Sequence, residues 1–160
     1  MEATRTGVRP AEWWERLAAR LIEGVAFGVF YYILFIALWV SFRTVGAPEL
    51  SAGRLAGAVA WFTAGLAYTA YEWEALCGVG RTFGKAIMKI QVTPDELPRR
   101  ALLKRALLYP GPVMLLGIPL VNLLAGIFLF AVGMLILIDR PEQRGPHDRL
   151  AGTRVVKDLR

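Results

Sequence analysis

Three charged side chains stand at four- and three-residue spacing at the edge of a long apolar run: Arg16, Arg20 and Glu23. On a helix this spacing stacks them on one face. Residues 24–42 follow, 19 residues without a charge. That is close to the length needed to cross a bilayer core of roughly 30 Å at about 1.5 Å per residue. A carboxylate at the mouth of such a span is costly unless it faces protein, water or a partner charge. Arg20 is the nearest partner on the same helix. A carboxylate whose burial and cationic neighbours oppose one another can serve as a titrating centre, with Arg16 and Arg20 tuning it. Glu72 closes a second apolar run, and Asp148 lies beside His147 and Arg149 near the C-terminus. Glu72 falls at the level of the Arg16, Arg20 and Glu23 stripe if the two runs are antiparallel helices. His147 beside Asp148 would suit a proton relay, but an isolated histidine in a turn is more often just solvated. Asp148 reads either as a structural group, pairing with a neighbour or accepting backbone N–H groups, or as a functional one.

The elements that must position these groups are membrane-like. The chain has 160 residues, 56% hydrophobic, with a mean hydropathy of +0.45 and a formal charge of +6. A soluble domain rarely carries that much apolar material. Its basic residues border apolar spans instead of forming a soluble face, which argues against nucleic acid and for anionic lipid at the cytoplasmic side. The one cysteine, Cys77, excludes an internal disulfide and a cysteine-based metal site. With one His and two Ser there is no catalytic set, so no enzyme activity, cofactor or metal is expected. The first 20 residues lack an apolar core ending in a cleavage site, so the first span is expected to direct insertion.

The order of elements follows. Residues 1–8 read as a disordered lead-in. An interfacial helix over 10–22, with Trp13, Trp14, Leu17 and Leu21, runs into a first span at about 22–42. A short polar loop, 43–54, leads to a second span at 55–76. Gly24 and Gly28, at GxxxG spacing, and Ala56, Ala60 and Ala64 predict close packing of these two spans. A basic loop, 77–100, follows. Its neighbourhood through Arg105 carries Arg81, Lys85, Lys89, Arg99, Arg100, Lys104 and Arg105, which places it in the cytoplasm. Residues 106–138 are too long for one crossing and short for two. Pro110, Pro112, Gly117 and Pro119 predict a short or broken third helix at 101–117, then a fourth span at 120–138. Three spans, with the tail outside, is the alternative. The tail, 139–160, with Arg140, Arg144, Arg149, Arg154, Lys157 and Arg160, is placed in the cytoplasm with the N-terminus. The β-branched pieces 87–93 and 154–157 could pair as strands beneath the helices. The fold class is an all-α polytopic membrane protein of three to four transmembrane helices with a short cytoplasmic β-like or loop element.

Three segments carry a family resemblance: WWERLAARLIEG (13–24), GRTFGKAIMKIQV (80–92) and RGPHDRLAGTRVV (144–156). Together, in this order around these spans, they resemble the RDD family of small bacterial membrane proteins, over roughly residues 12–157. By that resemblance Arg16 matches the family arginine, and Glu23 stands seven residues later where the family usually has aspartate. Gly80, Arg81, Thr82, Gly84 and Lys85 match the family loop, and Asp148 its C-terminal aspartate. A further family aspartate has no counterpart, because the neighbourhood is Tyr109, Pro110 and Gly111. The resemblance implies a role in transport, with sodium/proton antiport proposed for some members. The loop itself is no P-loop: three residues, not four, separate Gly80 and Gly84, and Ala86 follows Lys85.

Two functions stay open on these grounds. One is a small, ion- or proton-coupled transporter in the bacterial inner membrane, acting as a homo-oligomer. The other is a scaffold or interaction subunit whose basic cytoplasmic face binds anionic lipid or other membrane proteins.

Overall fold

The computed structural model describes residues 9–93, 98–139 and 144–158. The lead-in 1–8 and the tail residues Arg140 and Arg160 lie outside these. Six α-helices and two strands are described: α1 (Trp13–Thr44), α2 (Glu49–Val79), α3 (Phe83–Ile87), β1 (Ile90–Thr93), α4 (Arg99–Leu108), α5 (Val121–Ile138), α6 (Pro146–Ala151) and β2 (Arg154–Lys157). A 3₁₀ segment, Gly111–Gly117, joins α4 to α5.

The expected interfacial helix and first span are one continuous helix, α1. Nothing between Trp13 and Thr44 breaks it, and its first turn is fixed by Glu15, which accepts the backbone N–H of Glu12. Among the described residues two helices are long and apolar enough to cross a bilayer, α1 and α5. This is fewer than the three to four spans expected. α2 has the length, at 31 residues, but alanine, glycine, threonine and tyrosine dilute its apolar character. It is instead the most buried of the long helices, from Ala52 to Leu76.

α1 and α2 are antiparallel, as Phe35 meets Gly57, Tyr31 meets Trp61 and Phe27 meets Tyr68. Aromatic rings of α1, not Gly24 and Gly28, make this seam. Gly24 and Gly28 are exposed, with nothing within 4 Å of where a Cβ would sit, so the expected glycine seam is corrected. Ala56, Ala60 and Ala64 are buried as expected.

The third apolar region is broken. α4 has only 10 residues, about 15 Å of helix. Its continuation is 3₁₀ because Pro110 and Pro112 remove backbone donors. This limb runs against α2 in the opposite direction: Arg105 reaches Glu72, while Trp61 Nε1 donates to the Val113 carbonyl at 2.8 Å. α5 then returns, bringing Ile136 close to Gly145.

β1 and β2 pair antiparallel, with Ile90 opposite Lys157 and Thr93 opposite Arg154. Pro10 bridges to Val156, and Ala11 donates to the Val155 carbonyl at 3.0 Å. Residues 9–11, β1 and β2 therefore lie at one end of the molecule. Between the two strands the chain goes out and comes back. Ala11, Ala19, Leu76, Ile90, Val92, Leu102 and Val155 form the apolar core of that end.

Candidate functional site: a buried charge network

Above this core, five elements aim charged side chains at one another. The expected stripe on α1 divides. Arg20 Nη1 lies 3.1 Å from Glu23 Oε2, a pair one helical turn apart. Arg16 does not touch Glu23; it faces Asp148 at 3.6 Å and donates to the carbonyls of Ala11 and Val155.

Glu72 is the hub. Its carboxylate is fully buried and accepts from Arg20 (2.7 and 3.0 Å), from Lys85 Nζ (2.8 Å) and from Arg105 Nη1 (3.1 Å). Glu74, two residues on, points outward and pairs with exposed Arg99. The antiparallel seam of α1 and α2 is what brings Arg20 level with Glu72, as the stripe predicts.

Glu23 accepts from Arg20, from the Tyr68 hydroxyl at 2.8 Å and from the Thr82 hydroxyl. Thr82 and Lys85 arrive on the turn and short helix after α2. Gly80 closes α2 in the left-handed conformation (φ 70°), which glycine adopts without steric cost. At Gly84 the backbone of α3 approaches α1 so closely that a Cβ would collide with the Ala19 carbonyl oxygen. The two glycines thus turn the chain and seat α3 on α1. Arg81 points away and pairs with Asp158.

Asp148 sits in the first turn of α6 and is fully buried. Arg105 donates to its Oδ1 from Nε and Nη2 at 3.1 and 2.9 Å, and Thr153 donates to the same oxygen at 3.1 Å. Oδ2 accepts the Gly145 N–H at 3.3 Å. Arg149 turns outward to Asp139. Burial pushes the Asp148 carboxyl up, but Arg105 and Arg16 outweigh it and hold the group well below the ordinary carboxylate range.

His147 is not solvated. It is buried, stacks on the Tyr109 ring with centroids 5.2 Å apart, and has Nε2 3.5 Å from Asp148. Burial pushes its pKa down to about 3 against the opposing pull of Asp148, so at neutral pH it is uncharged. Tyr109, where the acidic neighbour is missing, lies under the Arg20 guanidinium, 4.9 Å from ring centre to Cζ.

Among the described residues the network holds four cations, Arg16, Arg20, Lys85 and Arg105, and three carboxylates, Glu23, Glu72 and Asp148. Arg105 was grouped with the cytoplasmic basic residues on sequence grounds, yet its side chain is 1% exposed. The signal for it was helical spacing: Leu102, Arg105 and Ala106 share the buried face of α4. Tyr68 and Thr153 also escaped notice, since neither spacing nor charge marks a neutral hydroxyl donor.

No curated protein and no solved structure matches the chain. The model of the RDD family matches residues 10–152, an interval that contains every charged member of the network. The protein belongs to the RDD family, whose members are membrane proteins.

Proposed function

We propose that the protein is a small multi-pass transporter of the bacterial cell membrane, coupled to proton or ion movement and working as a homo-oligomer. α1, α2, the α4–3₁₀ limb and α5 would be its four passages, with the β1–β2 end in the cytoplasm. The observation that supports this best is the buried network, in which a lysine, Lys85, is held among arginines and carboxylates. Arginine does not release its proton in proteins, but lysine does when buried. Burial pushes the Lys85 ammonium down to about 8, with Glu72 opposing. Loss of that proton would remove one positive charge from the network. The protonation state of Lys85 would then set whether the site needs a counter-ion, which is the physical requirement for coupling. Glu23 and Glu72 fix the field around it. Four passages enclose little volume, and α5 exposes Leu123, Leu124, Phe130 and Leu135, a surface for lipid or a second copy.

The test is flux in proteoliposomes under imposed proton and sodium gradients. Wild-type flux should change with a midpoint near pH 8, and Lys85→Arg, which keeps the charge but not the exchangeable proton, should abolish it without unfolding the protein. Glu23→Asp should retain flux. A wild type that passes no ion from about pH 6 to 9 overturns the proposal.

One observation favours the scaffold reading: α4 turns Arg99, Arg100 and Lys104 outward while burying Arg105. This row would bind anionic lipid or an acidic partner protein. Replacing Arg100 and Lys104 by Glu should then release a co-purifying partner and leave flux unchanged.

A further inference from the structure

A cavity of about 310 Å³ lies between the first turns of α1 and the last turns of α5. That is at the lower end of ligand-pocket volumes, roughly 300–1,000 Å³. One wall is mainly cationic: Arg16, Arg20, Lys85 and Arg105 line it, with the carboxylate of Asp148 among them. The two α1 arginines are its accessible edge, with side chains 11% and 15% exposed, against 5% for Lys85 and 1% for Arg105. The opposite wall is apolar and comes from α5, through Phe130, Gly133, Met134 and Leu137. These side chains are not packed away: Phe130 is 70% exposed and Met134 and Leu137 are 41% exposed. Nothing lies within 4 Å of where a Gly133 Cβ would sit. Trp13 and Leu17, both half-exposed, line the α1 side.

We propose that this cavity is a lateral site for an anionic phospholipid, with the headgroup phosphate on the Arg16 and Arg20 edge and an acyl chain along α5. The proposal stands on the cavity and does not require transport. Charge decides the headgroup: Arg16, Arg20, Lys85 and Arg105 line the wall against the one carboxylate Asp148, so an anionic headgroup suits it where a zwitterion does not. The apolar wall decides the rest. A free anion would leave Phe130, Met134 and Leu137 uncovered, whereas an acyl chain covers them. The route of entry fits as well, because among the described residues α1 and α5 are the two helices both long and apolar enough to cross a bilayer, and what lies beside both is lipid. Trp13 at this edge is the residue type that sits at headgroup level.

The experiment is native mass spectrometry of the full-length, detergent-purified protein titrated with short-chain phosphatidylglycerol, phosphatidylcholine or inorganic phosphate. Phosphatidylglycerol should bind at least ~10-fold more tightly than phosphatidylcholine. Inorganic phosphate should not displace it at equal concentration. Gly133→Leu fills the cavity from α5. Leu17→Glu places a carboxylate beside the arginines from a half-exposed position. Each should lower phosphatidylglycerol affinity at least ~10-fold, with melting temperature unchanged. Equal binding of the two lipids overturns the assignment. So does displacement by inorganic phosphate, which would mark a free-anion site, and so does full affinity in either folded variant.

Discussion

Arg105 and Asp148, 43 residues apart, meet through two hydrogen bonds to a single carboxylate oxygen, at 3.1 and 2.9 Å, with both side chains 1% exposed. Through this pair α4 holds α6, and through the third guanidinium nitrogen α4 also holds Glu72 on α2. The contact ties the C-terminal segment to the helix bundle. Removing one partner strands a buried charge, whereas removing both removes the charge and its penalty together.

Arg105→Met should therefore cost about 3–5 kcal/mol, read as a lowered melting temperature in detergent. The double variant Arg105→Met with Asp148→Asn should melt closer to wild type than the single one. Glu72 keeps Arg20 and Lys85 in both, so the comparison isolates Asp148. A double variant that loses the sum of the two single losses would show that the two residues do not act as a pair.

Gly84→Ala tests how α3 is seated. Its new methyl group would strike the Ala19 carbonyl oxygen and crowd the Glu23 side chain. Overpacking of this kind costs about 1–3 kcal/mol, and here it also moves Lys85 away from Glu72. Gly78→Ala is the control: it lies inside α2 with nothing within 4 Å, and alanine there should be neutral or stabilising by up to about 1 kcal/mol. Equal melting of the two variants would mean that α3 does not press on α1.

What the sequence revealed follows from what local spacing encodes. Arg16, Arg20 and Glu23 sit on one face because helical periodicity is local, and the β-branched run after Gly80 and that near the C-terminus read as partners for the same reason. The depth of Arg105 was hidden because counting basic residues along a loop says nothing of which one turns inward. Gly24 and Gly28 misled, since GxxxG spacing tells that a helix has a smooth face but not what meets it. Phe27, Tyr31 and Phe35, at four-residue spacing on another face, form the seam. The division of the stripe, with Arg16 on Asp148 and Arg20 on Glu72, depends on contacts across more than 50 residues. No local pattern specifies those.

His147 makes stability depend on pH. Its pKa is about 3 in the folded protein, down from an ordinary 6.5. Between these values the unfolded chain binds a proton that the folded chain does not, so acid favours unfolding. The contribution of His147 is fully present above about pH 6.5 and is lost as the pH falls towards 3. His147→Phe keeps a ring for Tyr109 to stack on and removes the proton. Melting temperatures measured from pH 7.5 down to about 4 should fall more steeply for wild type than for the variant. Parallel curves would show that the imidazole takes up its proton as readily in the fold as in the unfolded chain.

The last prediction concerns sidedness. Residues 9–11, β1 and β2 are joined by hydrogen bonds, so whatever side one occupies, all occupy. α1 and α2 leave that end and turn at Val45 and Gly46 at the other. The basic loop after α2 and the basic tail both flank the joined end, and basic residues mark the cytoplasmic side. Val45 is 79% exposed and Leu150 is 70% exposed, so each is a reachable position for a new thiol. In a Cys77→Ser background, Val45→Cys should react with a membrane-impermeant maleimide added to intact cells. Leu150→Cys should react only after the membrane is opened. The reverse pattern would invert the orientation and defeat the basic-residue argument. Reaction at both positions in intact cells would place the two ends on one side, which α1 and α2 as membrane-crossing partners forbid.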